Sequence, residues 1–131
     1  MADFILSSEL IEHLFNPDKA LKELARVLCK GGKVLVTTPM KYSINEIFRR
    51  KSHKHNLEHP NVLTYSQFLF KITDEFHVIF EKAILFLPLT RFIAFLYANQ
   101  ALIRCLDWML SKIPLLRTLS WCMIVVAVKK G

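Results

Sequence analysis

"SSELIEHLFNPDKALKELARVLCKGGKVLVTTP", Ser7 to Pro39, decides the fold. Just in front of and into it, "DFILS", Asp3 to Ser7, has the length and content of a short buried strand. Asn16-Pro17-Asp18 then starts a helix, with Asn as the N-cap, Pro at the first helical position and an acid in the first turn. Ala20, Leu21, Leu24, Ala25, Val27 and Leu28 recur at three and four, which is one apolar stripe. Lys19, Lys22, Glu23, Arg26 and Lys30 take the other side. Gly31 is expected to end the helix as a left-handed cap. "KVLVTTP", Lys33 to Pro39, reads as a second buried strand closed by proline. Strand, helix, tight turn, strand is a βαβ unit with parallel strands and a right-handed crossover. Ligands of such sheets gather beyond the carboxyl ends of the strands. Those ends are Ser7-Ser8-Glu9 and Thr37-Thr38-Pro39, so the cluster Glu9, Glu12 and His13 falls on the functional rim.

Working outward, Met40 to Asn61 is polar and loop-like, with a short helix expected at "SINEIFRR". Thr64 with Gln67 three residues on is a capping box that opens a helix over "YSQFLFKI". "FHVIFEKAILF" reads as a strand, rich in aromatic and β-branched residues. Thr90 to Lys112 contains no Gly or Pro and is expected to be helical, with Pro114 as the breaker. "WCMIVVAVKK" is a closing strand. There is no internal repeat.

Composition narrows the function classes. The 131 residues are 53% hydrophobic, with a mean hydropathy of +0.30, ample for a core and rich for so short a chain. The net charge of +7 favours anionic partners, whether phosphates, acidic lipids or nucleic acid. Cys29, Cys105 and Cys122 show no paired spacing, which argues against a thiolate metal site and for buried free thiols in a reducing cytoplasm. The start "MADFILSSEL" has no basic stretch before its apolar run, unlike a secretion signal. Glycine is scarce: Gly31, Gly32 and Gly131 are all there are. A glycine-rich loop that cradles a nucleotide needs several glycines between a strand and a helix, and these residues cannot build one.

"DFILSSELIEHLFNPDKALKELARVLCKGGKVLVTTP" resembles the middle of class I S-adenosylmethionine-dependent methyltransferases of the type 11 group. The shared pattern is a strand ending in small polar residues and an acid, then Glu-His, then an Asn-Pro helix start. A Gly-Gly turn and a strand ending Thr-Pro follow. "TYSQFLFKITDEFHVIFEKAILF" and "MIVVAVKK" are similar to the later elements of that fold. The resemblance implies an α/β fold, a partial Rossmann-like sheet holding strands four to seven of the family, with flanking helices. Residues 1–131 are thus read as the C-terminal half of a methyltransferase domain, with residues 89–113 an apolar helical insertion or lid. The family's glycine-rich cofactor loop and ribose-binding acid belong to a preceding half. S-adenosylmethionine binding by this chain alone is therefore expected to be weak. A missing N-terminal half, or self-association along the first strand, is expected to cover an otherwise open edge.

The resemblance places Ser7, Ser8 and Glu9 against the cofactor; the alternative is a simple helix cap. Glu9, Glu12 and His13 are the catalytic candidates. Their spacing puts them on one face of a helix, where two carboxylates and an imidazole suit a divalent metal. The set is similar to the metal site of small-RNA and ubiquinone-pathway O-methyltransferases, with His59, five residues before Thr64, as the matching distal ligand. Against this, Glu-His is common in type 11 enzymes that use no metal. "RRKSHKH", Arg49 to His55, is either a grip for phosphate or acidic headgroups or a solvated loop. "AILFLPLTRFIAFLYANQALI", Ala83 to Ile103, is interrupted by Pro88, Arg91, Asn99 and Gln100. It reads as core, as a lid over a greasy substrate or as an interfacial helix, and not as a span.

The expectation is a methyltransferase acting on a small-molecule, lipid-like or phosphate-bearing acceptor, in the cytoplasm or at an acidic membrane surface. Nucleic acid is a less favoured partner. The alternatives are a non-catalytic truncated fragment and a peripheral membrane-binding module.

Overall fold

The computed structural model describes residues 1–43, 60–84, 100–110 and 112–131. The elements are β1 (Ala2–Ser8), a 3-10 turn (Ile11–His13), α1 (Pro17–Val27), β2 (Leu28–Pro39), α2 (Tyr65–Glu75), β3 (Phe76–Ile84), α3 (Gln100–Leu110), α4 (Pro114–Arg117) and β4 (Cys122–Lys129). The short helix expected at "SINEIFRR" falls, beyond Ser43, outside the described residues, as do the basic run "RRKSHKH" and residues 85–99 of the apolar segment. Of the expected insertion at residues 89–113, the described helix is Gln100–Leu110. Among the described residues no helix is long and apolar enough to cross a membrane.

The four strands form one sheet in the order β1-β2-β4-β3. β1 and β2 are parallel, as the βαβ reading requires, and β4 lies antiparallel between β2 and β3. The carboxyl ends of β1, β2 and β3 and the start of β4 therefore share one rim.

The caps expected from sequence are formed. The Asn16 side chain accepts from the Lys19 N–H at 2.9 Å, with Pro17 behind it. Thr64 and Gln67 exchange both bonds of a capping box. Leu21 and Ala25 of α1 and Phe68 and Ile72 of α2 pack with Val34, Val36, Met123, Val125 and Ala127, so both helices cover the same face of the sheet. An ion pair between Lys71 and Asp18, 2.6 Å, ties the two helices together.

One boundary differs from expectation. α1 stops at Val27, and the chain is already extended at Leu28. Leu28 is fully buried and paired with Ala2, and its carbonyl accepts from Lys129 Nζ at 2.8 Å. Tertiary pairing thus ends the helix before glycine does. β1 then advances from Ala2 to Phe4 while β2 advances from Leu28 to Lys33, and the excess loops out through the glycine pair. Gly31 carries a φ of +75° within this bulge. At Gly32 a Cβ would stand 3.0 Å from the Cys29 carbonyl oxygen.

The thiols also differ from expectation. Cys122 is buried, but Cys29 is half-buried and Cys105 exposed. Their positions on a bulge and on an outer helix face keep them near water.

Candidate functional site

The rim is built by cross-strand polar contacts at the ends of β1 and β2. Ser8 pairs with Thr37, and their hydroxyls lie 2.9 Å apart. The Glu9 N–H donates to the Thr37 carbonyl at 3.0 Å, which carries the parallel ladder one residue past β1. Glu9 then turns the chain with a φ of +50°, a left-handed conformation that is unfavourable for a side chain with a Cβ. Its carboxylate accepts from the Thr37 hydroxyl and from the Cys122 thiol, each at 3.5 Å. Burial, with the Glu9 carboxylate beside it, pushes the Cys122 thiol up to about 12, so it stays protonated and acts as a weak donor, not a nucleophile.

Glu12 faces the other way. It is wholly buried, and one oxygen accepts from the Thr38 hydroxyl at 3.4 Å. The other oxygen and the buried Ser7 hydroxyl have no hydrogen-bond partner among the described residues. Burial raises the Glu12 carboxyl above its usual range, and the nearby Glu9 charge adds to the rise. The half-exposed ring of His13 comes within 3.9 Å of Glu12. Asn61 closes over this turn: its N–H donates to the Glu12 carbonyl at 3.2 Å and its side-chain amide to the Leu14 carbonyl.

Glu9, Glu12 and His13 therefore do not share one face. The turn is only three residues long, and Glu9 precedes it in a left-handed conformation. Thr37 and Thr38 are consecutive in a strand and point to opposite faces. The carboxylates that bind them are drawn apart with them. Among the described residues no group of three His, Cys, Asp or Glu side chains is placed to hold a metal ion; His59, the expected distal ligand, lies outside the described residues.

Sequence reasoning located Ser7, Ser8, Glu9, Glu12 and His13 at the rim and placed Thr37 and Thr38 there as the end of β2, without pairing those two with the carboxylates; it missed Cys122 and Asn61. Cys122 and Asn61 arrive from distant segments and left no local sign.

A family model described as a methyltransferase domain matches residues 1–36. Solved structures match over nearly the whole chain. A methyltransferase of Haloferax volcanii, solved in complex with the Trm112 methyltransferase activator, aligns with a TM-score of 0.62 at 18% identity, covering 99% of this chain and 55% of that one. A S-adenosylmethionine-dependent methyltransferase of Thermotoga maritima aligns at 0.61 and 18% identity, covering 98% and 56%.

The fold is that of the class I S-adenosylmethionine-dependent methyltransferases.

The N-methyltransferase NodS of Bradyrhizobium japonicum, in complex with S-adenosylhomocysteine, shares this methyltransferase fold at a TM-score of 0.56 and 10% identity, covering 98% of this chain and 46% of its own. The chain thus spans about half the length of the methyltransferases it matches. No curated protein matches it by sequence.

Proposed function

We propose that this chain forms part of an enzyme that transfers a methyl group from S-adenosylmethionine to a small acceptor. The observation that supports the reading most is the rim of this methyltransferase fold, where an exposed carboxylate, Glu9, is fixed by Thr37 and Cys122 from two other strands. A fixed anion suits a cofactor with a cationic sulfonium and sugar hydroxyls. Among the described residues the buried Ser7 hydroxyl at the same end has no hydrogen-bond partner, which leaves it as a further polar group there. The 131 residues contain no glycine-rich loop, so they fit one side of the cofactor and not the whole of it.

When bound, S-adenosylmethionine supplies an electrophilic methyl group on sulfur. In this reading Glu9 accepts hydrogen bonds from the cofactor. Glu12, shut away from solvent, keeps the rim in shape through Thr38 and is a positioning residue. His13, half exposed beside Glu12, takes the acceptor's proton. The acceptor is lipid-like or phosphate-bearing, in keeping with the basic and apolar stretches of the sequence. A cytoplasmic site of action with contact to acidic membranes belongs to the same proposal.

Calorimetric titration tests it. The chain alone is expected to show no micromolar affinity for S-adenosylmethionine. Co-expressed with a glycine-loop half from a related methyltransferase, it is expected to bind, and Glu9→Gln to weaken that binding about tenfold. Tight binding by the chain alone, or no effect of Glu9→Gln, would sink this assignment of the rim.

A further inference from the structure

At the opposite edge of the sheet from β1, a cleft of about 300 Å³ is lined by Tyr65, Phe80, Lys82, Trp108, Lys112 and Arg117, together with Glu81 and Ala83. Successive residues of β3 point to opposite faces, so the cleft wraps the free edge of that strand. The chain brings it together from five places: the first residue of α2, the end of β3, the end of α3, the turn into α4 and the last residue of α4.

Its floor is a polar set. Arg117 Nη1 lies 3.2 Å from the Glu81 carboxylate and 3.4 Å from the Tyr65 hydroxyl. Arg117 and Glu81 neutralise each other, which leaves the two ammonium groups of Lys82 and Lys112. Neither is paired with a carboxylate among the described residues. Lys112 Nζ rests 3.5 Å above the Trp108 ring, a contact that is weak at an exposed site and easily exchanged for an anion. The walls are aromatic: Phe80 is 52% and Trp108 54% exposed, so part of each ring borders the cleft.

We propose that this cleft binds a phosphate monoester carrying a small apolar group, the phosphate between Lys82 and Lys112 and the apolar group against Phe80 and Trp108. Two point charges suit a phosphate monoester, which carries close to two negative charges at neutral pH. The volume is at the lower end for small-molecule sites, which limits the buried part to a ring or short chain. The binding needs no methyl donor, so its test is separate from that of methyl transfer.

The test is a titration of the full chain with phenyl phosphate, followed by tryptophan fluorescence and calorimetry, with inorganic phosphate and phenol as comparison probes. Saturable binding of phenyl phosphate is expected, about tenfold or more tighter than either comparison probe. Lys82→Gln and Lys112→Gln are each expected to weaken it severalfold, and Trp108→Leu to erase the preference over inorganic phosphate. Lys22→Gln, on the outer side of α1, should change nothing; circular dichroism confirms that each variant is folded. A second arm uses vesicles of phosphatidylcholine with and without phosphatidic acid, which separates a membrane source of the phosphate from a soluble one. Phenyl phosphate that binds no better than phosphate overturns the proposal. So does binding, to ester or vesicle, that survives both lysine changes.

Discussion

The two faces of the sheet are built from similar residues and treated differently. On one, Val34, Val36, Met123 and Val125 lie fully out of water beneath α1 and α2. On the other, Leu6, Leu35, Val126 and Phe80 pair in a row across all four strands, and the ends of that row, Leu6 and Phe80, are 62% and 52% exposed. Strands with near-continuous apolar runs are those expected to be covered on both sides. Here one side has its cover within the described chain, and the other presents its apolar row outward. Stability should therefore reside on the first face and recognition on the second.

The sharpest way to break that contrast is a pair of truncations. Phe68→Ala, under α2, should cost about 3–5 kcal/mol in urea unfolding, because a fully buried ring leaves a cavity. Phe80→Ala, on the open face, should cost less than about 1 kcal/mol. Equal costs would mean that the outer row is as closely packed as the inner one.

Association comes next. β1 is an edge strand with Phe4 and Leu6 more than half exposed, so backbone donors and acceptors stand beside apolar side chains. The charge of +7 opposes self-contact, but salt screens it beyond roughly 8 Å. Light scattering at physiological salt should show dimers or larger species, and Leu6→Lys should shift them towards monomer by about tenfold in the association constant. A monodisperse wild-type monomer would contradict this.

Glu12 sharpens the contrast from within. Its carboxyl holds a proton more tightly folded than unfolded, since burial raises it from an ordinary 4.5. The stabilisation is complete below that ordinary value and is lost as pH rises through the folded-state value. Glu12→Gln should flatten this decline while keeping an acceptor for Thr38. Thermal unfolding followed upward in pH from the ordinary carboxyl value would show it; an unchanged slope would exclude the buried acid as its cause. The smallest effect belongs to Glu9→Gly, which relieves the left-handed backbone and should gain up to about 1 kcal/mol in denaturant unfolding, whereas Glu9→Ala should gain nothing.

Local signals made β1, α1 and β2 legible. Asn16-Pro17 and Thr64–Gln67 act within a turn of themselves, so their bonds follow from sequence alone. The end of α1 was not legible, because Leu28 leaves the helix to meet Ala2 and Lys129, one 26 residues before it and one 101 after. The rim was legible as a place but not as a geometry. Spacing of three and four implies a shared face only on a continuous helix, and the left-handed Glu9 breaks that condition. Cys122 reaches Glu9 across 113 residues, a distance over which no periodicity operates.

The position of β4 has a consequence for the order in which the molecule can be made. Among the described strands the last in sequence is an inner strand of the sheet, the sole hydrogen-bonded neighbour of β3 and the second neighbour of β2. During synthesis β1, α1 and β2 can assemble as soon as they emerge, but β3 must wait as an orphan until Cys122–Lys129 has cleared the ribosome. Until then β2 and β3 each expose an unpaired strand edge, and chaperone demand should peak at that stage.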